Sequence, residues 1–331
     1  MKRIFFATVV LLILLPTLLV GGRFGLFLLR STAPDSAVTI VVPTGASFAT
    51  VAEQLRETGV IASAPQFKLL ARLRGDSHKI QAGEYLFTQP ATPGKILDRL
   101  VSGDIVRLQL TVPEGYSLKE ISSLLFRLEF NDAKSFLQLT RNRDFIHSLG
   151  IDAPTLEGYL FPETYTFGSR TSSRQLIAAM VRQFEKKTPP ALLQEAKKHG
   201  LDRHKLVILA SIIQKEAGNS AEMPLISAVF HNRLRMGMPL QADPTVIYGI
   251  PNFDGNLTRN HLLEPTPYNT YRMRGLPKGP ITNPGADALR AAARPALVSY
   301  LYFVSRGDGT HYFSTTLAEH NAAVRRFQLK R

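Results

Sequence analysis

Leu206-Val207-Ile208-Leu209-Ala210-Ser211-Ile212-Ile213-Gln214-Lys215-Glu216 is apolar enough to form a helix buried on most sides, and it ends on a carboxylate. At helical spacing Glu216 shares a face with Leu209, Ile212 and Ile213, the side such a helix turns toward a core, while Ser211 and Lys215 point elsewhere. Gly218-Asn219 reads as a C-terminal stop, which puts Glu216 in the last turn at the negative end of the helix dipole. An apolar neighbourhood and a helix C-terminus each raise a glutamate's pKa, the condition for a carboxylic acid that donates a proton near neutral pH. The competing reading is a glutamate at a frayed end, facing water or paired with Lys215 or Arg233.

Downstream, Ser220-Ala221-Glu222 reads as the cap of a second helix whose stripe is Leu225, Ile226, Val229, Phe230 and Leu234, ending at Gly237. Leu240-Gln241-Ala242-Asp243-Pro244-Thr245 then reads as a polar loop on a rigid helical scaffold, where sites are built. From Tyr248 to Gly285 the chain is rich in Pro, Gly and Asn, an irregular stretch of the kind that lines or covers a site. A short helix at 287–293, a strand at 300–304, a turn at Gly307-Asp308-Gly309, a strand at 311–314 and a final helix carrying Glu319-His320 complete this half. His231, His311 and His320 lack metal-ligand spacing and read as structural or surface residues. No Gly-rich phosphate loop and no Gly-x-Ser-x-Gly elbow is present.

Upstream, Val106 to Val112 alternates apolar and polar residues as a half-buried strand does, and marks the seam into the large domain. Ser117 caps a helix with Leu118, Ile121, Leu124 and Leu125 inward. The block Glu157 to Tyr165 mixes Glu157 and Glu163 with Tyr159, Phe161 and Tyr165, which suits a sugar subsite or, more plainly, a strand edge with structural aromatics. Helices over 173–186 and 190–199 lead into the one that carries Glu216.

The chain has 331 residues, 44% of them hydrophobic, enough for more than one core. It has no cysteine, which excludes disulfides, a thiol nucleophile and Cys-ligated metal. A net charge of +14 suggests an anionic partner, but Lys and Arg are spread along the chain without a basic tail or a nucleic-acid motif. Acidic glycan, anionic lipid or a solvated surface accounts for it as well, and no nucleic-acid partner is expected. Lys2-Arg3 precede roughly 19 uncharged residues, Ile4 to Gly22, about the length that crosses a bilayer core. Because the run exceeds a usual signal-peptide core and no clean cleavage site follows, it reads as an uncleaved anchor over about 4–29 with a cytoplasmic N-terminus. From Ala37 to Ile105 a small α+β unit follows: strand 38–42, helices entered through Ser47 and Ser63, strand 83–87, and a third helix from Thr92 to Gly103. Its size and order resemble a LysM-like module, a type that holds N-acetylated glycans; a folded spacer is the alternative.

The segments Ala210 to Glu216, Phe230-His231-Asn232-Arg233-Leu234 and Leu240 to Gly249 together resemble the endolytic murein transglycosylases, the YceG-like family. The block Leu156 to Tyr165, Tyr268-Asn269-Thr270-Tyr271, and Gly275 to Gly285 agree with it in the same order over nearly the whole chain. Gln214 departs from a frequently acidic position and Ala217 from a frequently hydroxylated one. The resemblance implies a catalytic glutamate at Glu216, with Gln241, Asp243, Thr245, Tyr248, Asn232, Tyr159, Glu163, Tyr271 and Asn283 as candidate substrate-binding residues, and neither metal nor cofactor. It further implies cleavage of nascent peptidoglycan strands between MurNAc and GlcNAc, with 1,6-anhydro ends, in a protein of the bacterial inner membrane whose bulk is periplasmic and whose partners include peptidoglycan synthases. The fold expected is thus α+β: a transmembrane helix within 1–35, a LysM-like module at 36–105, and a larger mixed catalytic domain at 106–331 around a buried catalytic helix. A glycan-binding scaffold without catalysis, or a hydrolytic muramidase drawing a second carboxylate from Glu163, Asp243 or Glu264, are the alternatives.

Overall fold

The computed structural model describes residues 2–329, with side chains from 14 onward except that of 16. Helix α1 (Lys2–Leu29) opens the chain. The anchor expected over about 4–29 falls in it, but the side chains of much of its apolar run lie outside the described residues. Among the described residues no helix is long and apolar enough to cross a membrane. The chain divides into two compact units, residues 1–108 with 166–170, and residues 109–165 with 171–331.

In the first unit, β1 (Val38–Val42), α2 (Phe48–Glu57), α3 (Ala64–Arg74), β2 (Gly83–Phe87) and α4 (Pro93–Ser102) follow in order. β1 and β2 pair antiparallel, Val38 opposite Phe87 and Val42 opposite Gly83. The side chains of Ser47, Ser63 and Thr92 each accept the backbone N–H three residues on, so each of the three helices starts where its cap dictates. Ile40, Leu55, Phe67, Tyr85 and Leu97 fill the core, and Phe27 of α1 is buried with them.

The second unit is built on helices. β3 (Arg107–Thr111) pairs with β4 (Thr164–Gly168), and the division between units falls within both strands. Helices α5 (Leu118–Arg127), α6 (Ala133–Leu139) and α7 (Arg143–Ser148) lie between them in sequence. After β4 come α8 (Ser173–Lys187), α9 (Pro190–Lys198), α10 (Arg203–Glu216), α11 (Met223–Arg235), α12 (Asp243–Gly249), α13 (Arg259–Leu263) and α14 (Ala286–Ala293). β5 (Tyr302–Ser305), β6 (His311–Ser314) and α15 (Leu317–Phe327) close the chain, with Tyr302 opposite Ser314 and Ser305 opposite His311.

α10 is the centre of this unit. Leu206 to Ile213 are all buried, and α9, α11, α12 and α14 pack on it. Ser211, expected to point away from the core, is fully buried because its hydroxyl is satisfied locally: it donates to the Ile208 carbonyl (2.7 Å) and accepts from the Ile281 N–H (3.1 Å). Two other expectations shift by a turn. The helix after Glu216 is preceded by a single 3-10 turn at Ser220–Glu222, capped by Asn219 rather than Ser220. The loop expected at 240–245 is already helical from Asp243.

Candidate functional site

Glu216 closes α10 and faces a groove of about 500 Å³ lined also by Arg233, Gln241, Asp243, Tyr271, Phe303, Ser305, His311 and His320. The carboxyl keeps only a partial opening to this groove. Among the described residues it has no hydrogen-bond or ion-pair partner. Burial pushes its pKa up to about 8, the negative charge of Asp243 adds to the rise, and the Arg233 guanidinium opposes it. A group so placed holds its proton at neutral pH and can release it to a bound atom.

Arg233 lies near Glu216, but its Nε and Nη1 donors are engaged elsewhere. Its Nε donates to the Leu301 carbonyl (2.7 Å), and its Nη1 donates to the Leu240 carbonyl (2.7 Å) and to Gln241 Oε1 (3.3 Å). It is itself buried and lies over the Tyr302 ring at 5.2 Å. One fixed cation thus ties α11 to β5 and to the segment that carries Gln241 and Asp243. Gln241 stands at φ 53°, a left-handed backbone that costs a non-glycine residue about 1 kcal/mol or more and persists where surrounding contacts impose it. Here the Thr270 carbonyl accepts its N–H at 3.1 Å. Asp243 accepts a 2.6 Å bond from the Tyr271 hydroxyl, which aims it along the groove.

The opposite wall is the β5–β6 hairpin with α15. Gly218 is required there by approach rather than by backbone angle: a Cβ on it would lie 2.4 Å from the Gly309 carbonyl oxygen. The Asn219 amide donates to that same oxygen (3.2 Å). Glu222 accepts both the His311 N–H (3.0 Å) and its Nδ1 (2.8 Å), so the hairpin is fastened to the turn that follows α10. His320 stacks on Tyr302 at 5.2 Å, and its buried Nδ1 has no partner among the described residues. Burial pulls the His320 pKa down, with the Arg233 charge adding to the fall, which favours the neutral ring. Among the described residues no group of three His, Asp or Glu could hold a metal ion.

The sequence profile of the YceG-like family matches residues 40–326. The chain belongs to the YceG-like family. It is 34% identical over 330 residues to the endolytic murein transglycosylase of Bacillus subtilis (strain 168), across 94% of this chain and 91% of that protein. It is 28% identical over 355 residues to the endolytic murein transglycosylase of Streptococcus pneumoniae serotype 2 (strain D39), spanning 63% of that longer protein. The 2.6 Å crystal structure of a yceG-like protein from Listeria monocytogenes superposes with a TM-score of 0.60 at 32% identity, covering 87% of this chain and 98% of that one.

Within this YceG-like chain, four of the candidate residues meet in the groove: Glu216, Gln241, Asp243 and Tyr271. The others stand elsewhere, each with its polar atoms engaged. Asn232 is buried, donating to the Val298 and Tyr300 carbonyls (2.9 Å each). Thr245 is fully buried between the Ala242 carbonyl and the Thr270 hydroxyl. The Tyr159 hydroxyl meets His204 Nδ1 at 2.7 Å, and Tyr248 donates to Glu157 at 3.0 Å. Asn283 is fully buried with both ends of its amide bonded, and Glu163 is exposed, paired with Gln183. These six residues do not line this groove. His311 and His320, read from sequence as structural or surface residues, do line it, and so do Arg233 and Phe303. The tertiary return of the C-terminal hairpin and α15 brings Phe303, His311 and His320 there, and no spacing within the sequence encodes that. Gln214, the departure noted beside the acid, accepts the Gly285 N–H at 2.8 Å and so supports the helix end without adding a charge.

Proposed function

We propose that this protein is a membrane-anchored endolytic lytic transglycosylase of peptidoglycan, cutting the β-1,4 bond between MurNAc and GlcNAc in nascent strands and thereby ending their growth. The observation that carries the reading is an unpaired glutamic acid that holds its proton at neutral pH on the wall of an open groove. Names of relatives in the same family point to the same reaction. In the first step Glu216 gives its proton to the glycosidic oxygen as the bond from that oxygen to C1 of MurNAc breaks. The carboxylate then takes the proton of the C6 hydroxyl of the same sugar, whose oxygen closes on C1 to leave a 1,6-anhydro end. No water enters, and Glu216 finishes protonated. An acid that must both give and accept a proton works best with a pKa near the working pH, and a raised value near 8 suits both steps.

Asp243 favours a second reading. It is a carboxylate on the same groove, and with a water between it and Glu216 the pair would hydrolyse the bond instead. Mass spectrometry of strands digested by the purified full chain in detergent separates the two. Anhydro ends, lost in Glu216→Gln, support the transglycosylase; reducing ends lost in Asp243→Asn mean a hydrolase; strands bound without new ends mean a scaffold.

Residues of about 4–29 are the proposed anchor, with the N-terminus in the cytoplasm, the bulk in the periplasm and peptidoglycan synthases as neighbours. Support comes from the uncharged run Ile4 to Gly22 and from the exposure of Leu14, Leu15, Leu18, Leu19 and Val20. The unit over 36–105 is the proposed LysM-like glycan holder. Its strand, helix, helix, strand order supports this, as does a cavity of about 580 Å³ between the segment 43–48 and residues Ser77, His78, Ile80 and Ala82.

A further inference from the structure

Glu157, at 3% exposure, is the most deeply buried acidic residue among the described residues, and it lies outside the groove. Three segments distant in sequence converge on its carboxyl. The Leu118 N–H, at the N-terminus of α5, donates to both oxygens (3.1 and 3.2 Å). Asn283 Nδ2 donates to Oε1 (3.2 Å), and the Tyr248 hydroxyl donates to Oε2 (3.0 Å). The Asn283 amide cannot be turned round, because its oxygen already accepts the Gly158 N–H (3.0 Å) and the Leu160 N–H (2.9 Å), while its nitrogen also donates to the Tyr116 carbonyl (2.8 Å). Two of the three partners can therefore only donate. An ionised Glu157 accepts all of them; a protonated one keeps all three contacts only if Tyr248 reverses its hydroxyl.

Tyr248 connects this cluster to the groove. It lies near the end of α12, and Asp243 begins the same short helix. Between them Thr245 and Val246 are buried, and the Tyr248 ring rests on Tyr268 at 4.9 Å, so this one-piece short helix is packed along its length. One end of α12 is held by Glu157, and the other presents Asp243 to Glu216.

We infer that Glu157 is a positioning residue: its carboxyl group fixes the Tyr248 hydroxyl, and through α12 it sets where Asp243 stands on the groove wall beside Glu216. This rests on the reading of Glu216 as the proton donor, and it assigns a role to the Glu157 to Tyr165 block other than sugar contact.

The test is carried out on the full chain with Tyr248→Phe, which deletes one hydroxyl, alongside Glu157→Gln, Asp243→Asn and the double variants. Turnover on peptidoglycan strands is expected to fall about tenfold or more in Tyr248→Phe, with kcat taking the loss and KM nearly unchanged, because a small displacement of an aligned group is costly. Combined with Asp243→Asn, it is expected to add nothing, since both act through one residue. A second readout does not need turnover. Asp243 raises the Glu216 pKa, so displacing it lowers the Glu216 titration midpoint, read by carboxyl-carbon NMR and assigned by difference from Glu216→Gln. Around Glu157 itself the titratable and charged groups are Tyr248, Tyr268, Glu120 and Arg141, and in the Glu157→Gln comparison these are common to both proteins. A Tyr248→Phe variant with wild-type kcat and an unmoved Glu216 midpoint, or losses that multiply with Asp243→Asn, overturns the inference. Failure of the wild type to make new glycan ends would instead overturn the transglycosylase reading, and the NMR midpoint would still decide the role of Glu157.

Discussion

Replacing Gly218 with alanine perturbs the site without touching any group that reacts. The added Cβ would lie 2.4 Å from the Gly309 carbonyl oxygen and 3.1 Å from its carbon, where ordinary contact begins at 3.4 Å. The deficit is about 1 Å, and the atoms in the way are backbone, which cannot swing aside as a side-chain tip can. Nor can the hairpin retreat freely, because Glu222 grips His311 twice and Asn219 holds the Gly309 oxygen. Either the end of α10 or the hairpin must shift by roughly that 1 Å, and the groove, walled by Phe303, Val304, Ser305 and His311, opens by a similar amount. The strain is expected to cost about 1–3 kcal/mol, lowering Tm by about 2–4 °C for each kcal/mol. A displacement of that size between acid and bound sugar is expected to cut kcat by up to about 10²-fold. Calorimetry gives the first number and the rate of new glycan ends gives the second. Gly94→Ala, with open space around its Cβ, serves as the control and is expected to be neutral or slightly stabilising. A Gly218→Ala protein with the Tm and kcat of the wild type would refute the proposed clamping of the groove.

Asp243→Asn removes a charge that raises the Glu216 pKa, so the alkaline limb of the pH–rate profile is expected to move to lower pH. Arg233→Lys is expected to cost about 2–4 kcal/mol in thermal unfolding, because an ammonium cannot serve the Leu301 and Leu240 carbonyls and Gln241 together. Stability should also fall as pH rises. The Glu216 pKa is about 8 in the fold against an ordinary value of 4.5, so between those pH values the native state holds a proton that the unfolded chain has lost. The stability linked to that proton is complete below about pH 4.5 and gone above about pH 8, a loss on the order of a few kcal/mol to which Glu157, raised to about 7, adds in the same direction. Glu216→Gln is therefore expected to unfold at higher temperature than the wild type at pH 9 and at about the same temperature at pH 4, as followed by circular dichroism.

What the sequence disclosed about this molecule was local. The caps at Ser47, Ser63, Thr92 and Ser117 and the strands at 38–42 and 83–87 are written in neighbouring residues, and they form where the pattern puts them. The burial of α10 follows from its apolar length. The position of Glu216 at the end of that helix follows too, although burial and Asp243, rather than the helix end, are the forces that raise its pKa. Convergence was not legible. Polar residues of the matching blocks, such as Asn283 and Thr245, look like ligand contacts in a string of letters, yet Asn283 is spent on the Gly158 and Leu160 N–H groups and the Tyr116 carbonyl, and Thr245 on the Ala242 carbonyl and the Thr270 hydroxyl. Gly218 reads as a helix stop when only its neighbours are considered; the reason for it is a carbonyl ninety-one residues away. The histidines of the groove lack any mutual spacing because the hairpin and α15 bring them in from the far end of the chain.

The account stands on one side chain keeping its proton at neutral pH. Carboxyl-carbon NMR of the full chain, with the Glu216 resonance assigned by its loss in Glu216→Gln, measures that directly. A midpoint near pH 8 is the predicted result, and titration near the ordinary 4.5 would contradict the claim that Glu216 is an acid ready to protonate a bound glycosidic oxygen.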